Sequence, residues 1–382
     1  MKQYAMKQYA HLIPFLILLS LANGGFAQPE PDLPKGSNLR WDPRYELVFE
    51  DNFEGDSVDL GKWMDSPHWG TVIPEHPEKD NCPEGATETV IQDNRSRCIW
   101  NTTRVPMPDQ PPVYQSNGQL TVSGTEGPVD CYCFANWDRK HLHKDGPCKR
   151  DYGAGWLNSR ECFKYGYFEM RSKIPPPGPQ TDGVGAAWWL FHDDVVCNTR
   201  ETNEMCYAEI DMFEMDHHAG FKPHIHANTK LGETQAGQDS CAGPHVFSLP
   251  DQLHPVKWPQ HTDSAWHTYA VEWTPRTIRF LIDGYVYAER CGDATYPVEK
   301  FDPMYIVFSI NVNFMKTCVT EQTVFPYNWV VDYIRVWQIP GLDENPRLAK
   351  RKYARCKCRK WRKHPYYEQL NRKPNDCGCR GE

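Results

Sequence analysis

The run Ala208-Glu209-Ile210-Asp211-Met212-Phe213-Glu214-Met215-Asp216 places acids in a segment that otherwise reads as a buried apolar strand. Carboxylates are seldom buried unless they are paired or functional. In a regular strand Glu209 and Asp211 share one face and Glu214 falls on the other, because side chains alternate. One bulged residue between Asp211 and Glu214 would return Glu214 to the face of the first two. Three carboxyls would then line one cleft. Two glutamates held about 5–5.5 Å apart can cut a glycosidic bond with retention, one as nucleophile and one as acid and then base. The competing reading is an acidic strand face turned to water in a half-exposed antiparallel sheet.

Such a run must be held by neighbouring strands, and the chain offers them. Tyr, Trp, Thr and Val segments broken by Pro, Gly and Asp point to an all-β domain. Period-2 alternation is clear over 166–171, 268–273, 279–282 and 330–337. Convincing amphipathic helices are few. Two packed antiparallel sheets are the expected architecture, and 382 residues suffice for a full core.

Several blocks, in order over about residues 45–338, resemble glycoside hydrolase family 16. Glu-x-Asp-x-x-Glu at 209–214 is similar to the bulged signature of its β-1,3-glucanases, agarases and κ-carrageenases. Leu47-Val48-Phe49-Glu50-Asp51-Asn52-Phe53 resembles the family's first strand, and Phe163-Lys164-Tyr165-Gly166-Tyr167-Phe168-Glu169 a central one. Ala187-Trp188-Trp189-Leu190, Trp266 to Trp273 and Val331 to Trp337 match further strands. The resemblance implies a β-jelly-roll sandwich of two antiparallel sheets with a concave substrate cleft. It implies Glu209 as nucleophile, Glu214 as acid/base, and Asp211 as a carboxyl holding a proton or hydrogen bond between them. No catalytic cofactor is expected. Two like charges this close cannot both ionise cheaply, so one pKa is expected to rise and that group to become the acid.

The resemblance has departures near the cleft. The approach to the first acid is Asn203 to Ala208, without the family's Trp-Pro and Gly. The family's Asn-Leu-Ala-Val-Gly-Gly strand is here Ser309-Ile310-Asn311-Val312-Asn313-Phe314. A long insertion at 193–206 carries Cys197 and Cys206. These changes bear on the identity of the sugar more than on the chemistry.

Further site residues follow from position. Trp156, Trp188 and Trp189 lie in segments flanking the family's cleft. Alternation sends Trp188 and Trp189 to opposite faces, so at most one meets sugar; the resemblance implies Trp189, with Trp156, and leaves Trp188 expected in the core. His224, His226 and Asn228 share a face of the next strand. His226 and Asn228 are expected beside the acids. A metal held by His217, His218, His224 and His226 is the weaker alternative. Asp332 resembles the position whose carboxylate holds a structural calcium with first-strand backbone oxygens. A salt bridge is the competing use of it.

The amino terminus reads as a secretory signal over 1–27, with Lys2 and Lys7 before an apolar stretch, Leu12 to Ala22, too short for a membrane span. Export would suit fifteen cysteines as disulfides. Cys82/Cys98 and Cys197/Cys206 are close enough in sequence to close loops, although sequence does not fix connectivity. Residues 28–340 are then the catalytic domain and 341–382 a basic tail. The tail carries thirteen Lys/Arg against five Asp/Glu, a balance of +8 in a chain of net charge −8. Its Cys356-x-Cys358 and Cys377-x-Cys379 pairs suit disulfides better than zinc in an exported chain. An anionic glycan, rather than nucleic acid, is its expected partner. Asn94 and Asn101 head glycosylation sequons. The mature chain is expected to be an extracellular or periplasmic monomer acting on a β-linked polysaccharide. A laminarin-type β-1,3-glucan leads, a red-algal galactan is the alternative, and a non-catalytic glycan-recognition protein is a third reading.

Overall fold

A computed structural model of the chain describes residues 42–64, 72–74, 96–99, 112–133, 146–192, 196–197, 205–216, 220–233, 239–241, 245–248, 265–291, 298–312 and 319–346. The expected signal (1–27), the sequons at Asn94 and Asn101, His217, His218, Cys82 and all but the first residues of the basic tail lie outside them. The described residues form strands and two short 3₁₀ turns, with no α-helix among them. No helix among them is long and apolar enough to cross a membrane.

The described strands, in chain order, are β1 Glu46–Asp51, β2 Trp63–Met64, β3 Val72–Pro74, β4 Ser96–Ile99, β5 Val113–Ser116, β6 Gln119–Cys133, β7 Gly146–Ala154, β8 Trp156–Phe163, β9 Gly166–Lys173 and β10 Val184–Phe191. They continue as β11 Met205–Asp216, β12 Gly220–Glu233, β13 Asp239–Cys241, β14 His245–Ser248, β15 His267–Trp273, β16 Thr277–Ile282, β17 Tyr285–Cys291, β18 Met304–Val312 and β19 Tyr327–Gln338. Sheet one has the order β17-β16-β15-β9-β19-β6-β7-β4-β3, with β1 on β19 and β5 on β6. Sheet two has the order β13-β12-β11-β10-β18-β8-β2, with β14 on β12. All described pairs are antiparallel except β4 with β7. The expected sandwich of two antiparallel sheets is present.

The four segments with period-2 alternation became β9, β15, β16 and β19. Alternation sends Met170 and Tyr269, partners across β9 and β15, toward sheet two. Phe213 of β11 meets Tyr269 at 5.4 Å and Trp329 of β19 at 5.6 Å between ring centroids, both edge-on. Phe308 of β18 meets Trp329 at 5.4 Å. These rings, with Trp188, Ile210, Ile306, Ile310, Ile334 and Val336, fill the space between the sheets. Strand β18 is buried along its whole length on both faces, which explains its unbroken apolar run from Tyr305 to Phe308.

Candidate active site

The bulge expected in the acidic run is present. Against β12, Asp211 pairs with His224 and Glu214 with Lys222, so three steps on β11 match two on its partner. Against β10, Phe213 pairs with Trp188 and Asp211 with Trp189, which leaves Met212 as the extra residue. The burial pattern explains why the strand accepts it. Ala208, Ile210, Met212, Phe213 and Met215 all join the hydrophobic core. Seating both Met212 and Phe213 inward adds apolar burial that offsets the interrupted ladder. Beyond the bulge the alternation resumes one step late, and Glu214 returns to the face of Glu209 and Asp211.

The consequence is electrostatic. Asp211 is 2% exposed. Burial, then the charges of Glu209 and Glu214, push its carboxyl well above the usual carboxylate range, and a hydrogen bond with Glu209 acts in the same direction. A protonated Asp211 donating to an ionised Glu209 fits that arrangement. The carboxyl pushed upward is therefore Asp211, whereas the crowding argument expected the raised group to be the acid. Glu209 and Glu214 are half-buried. The amide Nδ2 of Asn311, on β18, donates to Glu214 Oε1 at 3.3 Å.

Strand β10 supplies the cleft floor. Glu209, Asp211 and Glu214 stand opposite Phe191, Trp189 and Ala187. Trp189 thus lies on the acids' face and Trp188 in the core, as alternation required. The Trp189 indole N–H donates to Ser309 Oγ at 3.1 Å. Its ring is edge-on to Trp156 at 5.5 Å and to Phe191 at 5.2 Å. Phe191 in turn meets Tyr305 at 5.7 Å. Trp156 is 1% exposed, with its indole N–H on the Asn158 side-chain oxygen, so it supports Trp189 from below. Phe191 and Tyr305 were not singled out from sequence, and Ser309 and Asn311 only as part of a strand that departs from the family pattern. Period 2 alone would have placed Phe191 with Trp189. The β18 residues required knowledge of which strand lies beside β10.

The β12 backbone sets His226 opposite Glu209 and Asn228 opposite Tyr207. Both expected residues are therefore at register positions flanking the acids, with His224 opposite Asp211.

Two expectations meet a different arrangement. Cys197 bonds to Cys162, with their Cα atoms 5.5 Å apart and a sequence separation of 35, and not to Cys206. The strand order explains it: Phe191 at the end of β10 pairs with Tyr305, and Tyr305 pairs with Cys162. The segment leaving β10 therefore passes the end of β8. Asp332 Oδ2 takes a charged hydrogen bond from Arg171 Nη1, and the first-strand carbonyl of Glu50 accepts from Lys62 Nζ at 2.9 Å. Asp332 thus makes the salt bridge that was its competing use. Among the described residues no group of three or more His, Cys, Asp or Glu could hold a metal ion.

The model of the family described as "Glycosyl hydrolases family 16" matches residues 109–331, more than half of the chain and all three acids. The chain belongs to glycosyl hydrolase family 16. It is 29% identical over 211 residues to a β-glucanase of Rhodothermus marinus, covering 50% of this chain and 63% of that protein. It is 24% identical over 233 residues to the κ-carrageenase of Pseudoalteromonas carrageenovora, covering 58% of this chain and 55% of that protein. The crystal structure of the latter enzyme with a κ-carrageenan oligotetrasaccharide superposes with a TM-score of 0.49 at 18% identity, over 81% of this chain and 98% of that one. The chain thus spans less than two thirds of the length of the curated relatives it matches. The expected family membership is borne out.

Proposed function

We propose that this chain is a retaining endo-glycosidase of a β-linked polysaccharide. The observation that carries the reading is the bulge that gathers Glu209, Asp211 and Glu214 on one face of sheet two, where burial and its two neighbours push the Asp211 carboxyl upward. In this reading the Glu209 carboxylate attacks the anomeric carbon while Glu214 donates its proton to the departing oxygen. A glycosyl ester on Glu209 results. Glu214, now ionised, takes a proton from water, which opens the ester with a second inversion and restores both groups. Asp211 donates to Glu209 in the resting state and limits the charge that three crowded carboxyls would otherwise hold. Trp189, braced by Trp156 and Ser309, offers a ring for the apolar face of a sugar, with His226 and Asn228 at register positions on β12 beside the acids' strand. No cofactor enters this chemistry.

A laminarin-type β-1,3-glucan is the substrate we favour, supported by the β-glucanase likeness and the bulged motif. A sulfated galactan is the second reading. The κ-carrageenase likeness and the basic tail favour it, because a polyanion would be drawn to that +8 segment. Both glutamates are present, which speaks against a recognition protein without catalysis. Export is supported by the amino-terminal apolar stretch and by the Cys162–Cys197 bond. Residues 28–340 would act as the catalytic domain, in a monomer.

Release of reducing ends from laminarin, lichenan, agarose, porphyran and κ-carrageenan separates these readings. Turnover on laminarin and lichenan is expected. Turnover confined to carrageenan or porphyran would replace the glucan with the galactan, and binding without turnover on any of them would make the chain a recognition protein.

A further inference from the structure

Glu214 and Asn311 lie on strands separated by β10 and are offset by two residues across it, so their Cα atoms are roughly 11–12 Å apart. Their side chains nevertheless meet at 3.3 Å. The intervening strand makes this contact possible. Ala187, small, stands opposite Glu214, and Gly185 stands opposite Asn311. A Cβ at Gly185 would lie 2.5 Å from the Met215 carbonyl oxygen, so this position tolerates no side chain that could fill the gap. Asn311 is 8% exposed. It lies in the same β18 face as Ser309, which holds Trp189, while Ile310 between them belongs to the core.

We propose that Asn311 is a positioning residue that orients Glu214 and sets the pH above which it can no longer act as an acid. The proposal rests on the acid/base role of Glu214 given above. An amide N–H donated to a carboxylate oxygen favours the ionised form. It restrains one oxygen of a carboxyl whose titratable and charged neighbours are Glu209 and Asp211 on the same strand, with Asp216 on β11 and Lys222 and His224 on β12 at register positions. Ala187 and Trp189 face it from β10, and Ser309 and Asn311 from β18; neither strand contributes a charge there. The same amide can turn its oxygen to the protonated acid, so one side chain serves both states of a group that must alternate between them.

The sign of the effect follows. Removing the donor raises the Glu214 pKa, so the alkaline limb of the pH–rate profile moves up. In Asn311→Ala the shift should be about half to one pH unit, the size of one hydrogen bond. Asn311→Asp keeps the shape but replaces the donor with a like charge, and its shift should exceed one unit. The readouts are kcat/KM against pH on the polysaccharide that wild type cleaves, and the Glu214 carboxyl titration by ¹³C NMR of glutamate-labelled protein, assigned by comparison with Glu214→Gln. Upward shifts in both, larger for Asn311→Asp, are expected. A Glu214 titration in folded Asn311→Asp within about 0.2 units of wild type overturns the proposal, and this isosteric variant decides alone should Asn311→Ala not fold. A wild type that cleaves no glycan would refute the acid/base role, while the carboxyl titration would still decide whether Asn311 tunes Glu214.

Discussion

The two sheets each bury carboxyl groups, and they treat them in opposite ways. On sheet one, Glu169 and Glu272 are 3% and 4% exposed. Glu169 accepts from Tyr167 at 3.1 Å and Tyr333 at 2.9 Å. Glu272 accepts from Arg279 Nη1 at 2.7 Å and from Tyr45 at 3.3 Å. Burial first, and then these carboxylates, push the Tyr45 and Tyr167 hydroxyls well above the usual phenol range, so they remain donors. On sheet two, Asp211 is equally buried but stands among Glu209 and Glu214, which with its burial push its carboxyl well above the usual carboxylate range. A buried acid met by donors is a structural tie. A buried acid met by other acids is a proton store, and it marks the face where chemistry can occur.

The comparison is broken most sharply by removing one carboxyl from each sheet. Glu209→Gln should lower turnover by on the order of 10⁴-fold or more, with little change in melting temperature, because it removes the attacking group and relieves crowding. Glu214→Ala should also be severely impaired, yet azide should recover part of its rate by replacing the base-assisted water. Azide rescue at position 209 with retained configuration would reverse the two roles. Glu272→Gln should do the opposite of Glu209→Gln. Breaking a buried ion pair costs about 3–5 kcal/mol of stability, seen in urea titration, while kcat below the unfolding transition stays within about threefold. A kcat loss as large as that of Glu209→Gln would erase the distinction between the sheets.

Phe213→Ala tests how the site is carried on the core. Emptying its seat against Tyr269 and Trp329 should cost about 3–5 kcal/mol. It should also lower kcat, since Phe213 adjoins both the bulge and Glu214. Equal activity after correction for folded fraction would mean that the bulge holds without its anchor.

The smallest effect is expected of Asp211→Asn. Asp211 has its pKa raised on folding, so it binds its proton more tightly when folded. Its contribution to stability is fully present below its unfolded pKa and is lost as pH rises toward the folded value. The wild-type melting temperature should therefore fall as pH rises through the mildly acidic to neutral range and beyond. Asp211→Asn should flatten that fall, with a rate loss well below that of either glutamate. An unchanged slope would show that Asp211 ionises freely.

Part of the site was legible in the sequence. The three acids were, because two local rules, alternation and one bulge, place them. Trp188 and Trp189 were separated by the same alternation, and β9, β15, β16 and β19 by their period. What depended on strand order was hidden. Cys162 meets Cys197 only because β18 lies between β8 and β10. Asn311 reaches Glu214 from two strands away, over a gap left by Ala187 and Gly185. Arg171, 161 residues from Asp332, turns a carboxylate suited to calcium into half of an ion pair. Sequence spacing ranks residues near in the chain, and these contacts join residues near only in the sheet.

The central claim is that Glu209 and Glu214 work as a nucleophile and an acid/base pair across one sugar ring. Its most direct test is the anomeric configuration of the first product, followed by ¹H NMR from the start of hydrolysis before mutarotation. The account predicts the β-anomer at once, with the α-anomer growing only later. An initial α-anomer would mean single displacement by water, with the two carboxyls about 6.5–9.5 Å apart, and would contradict it.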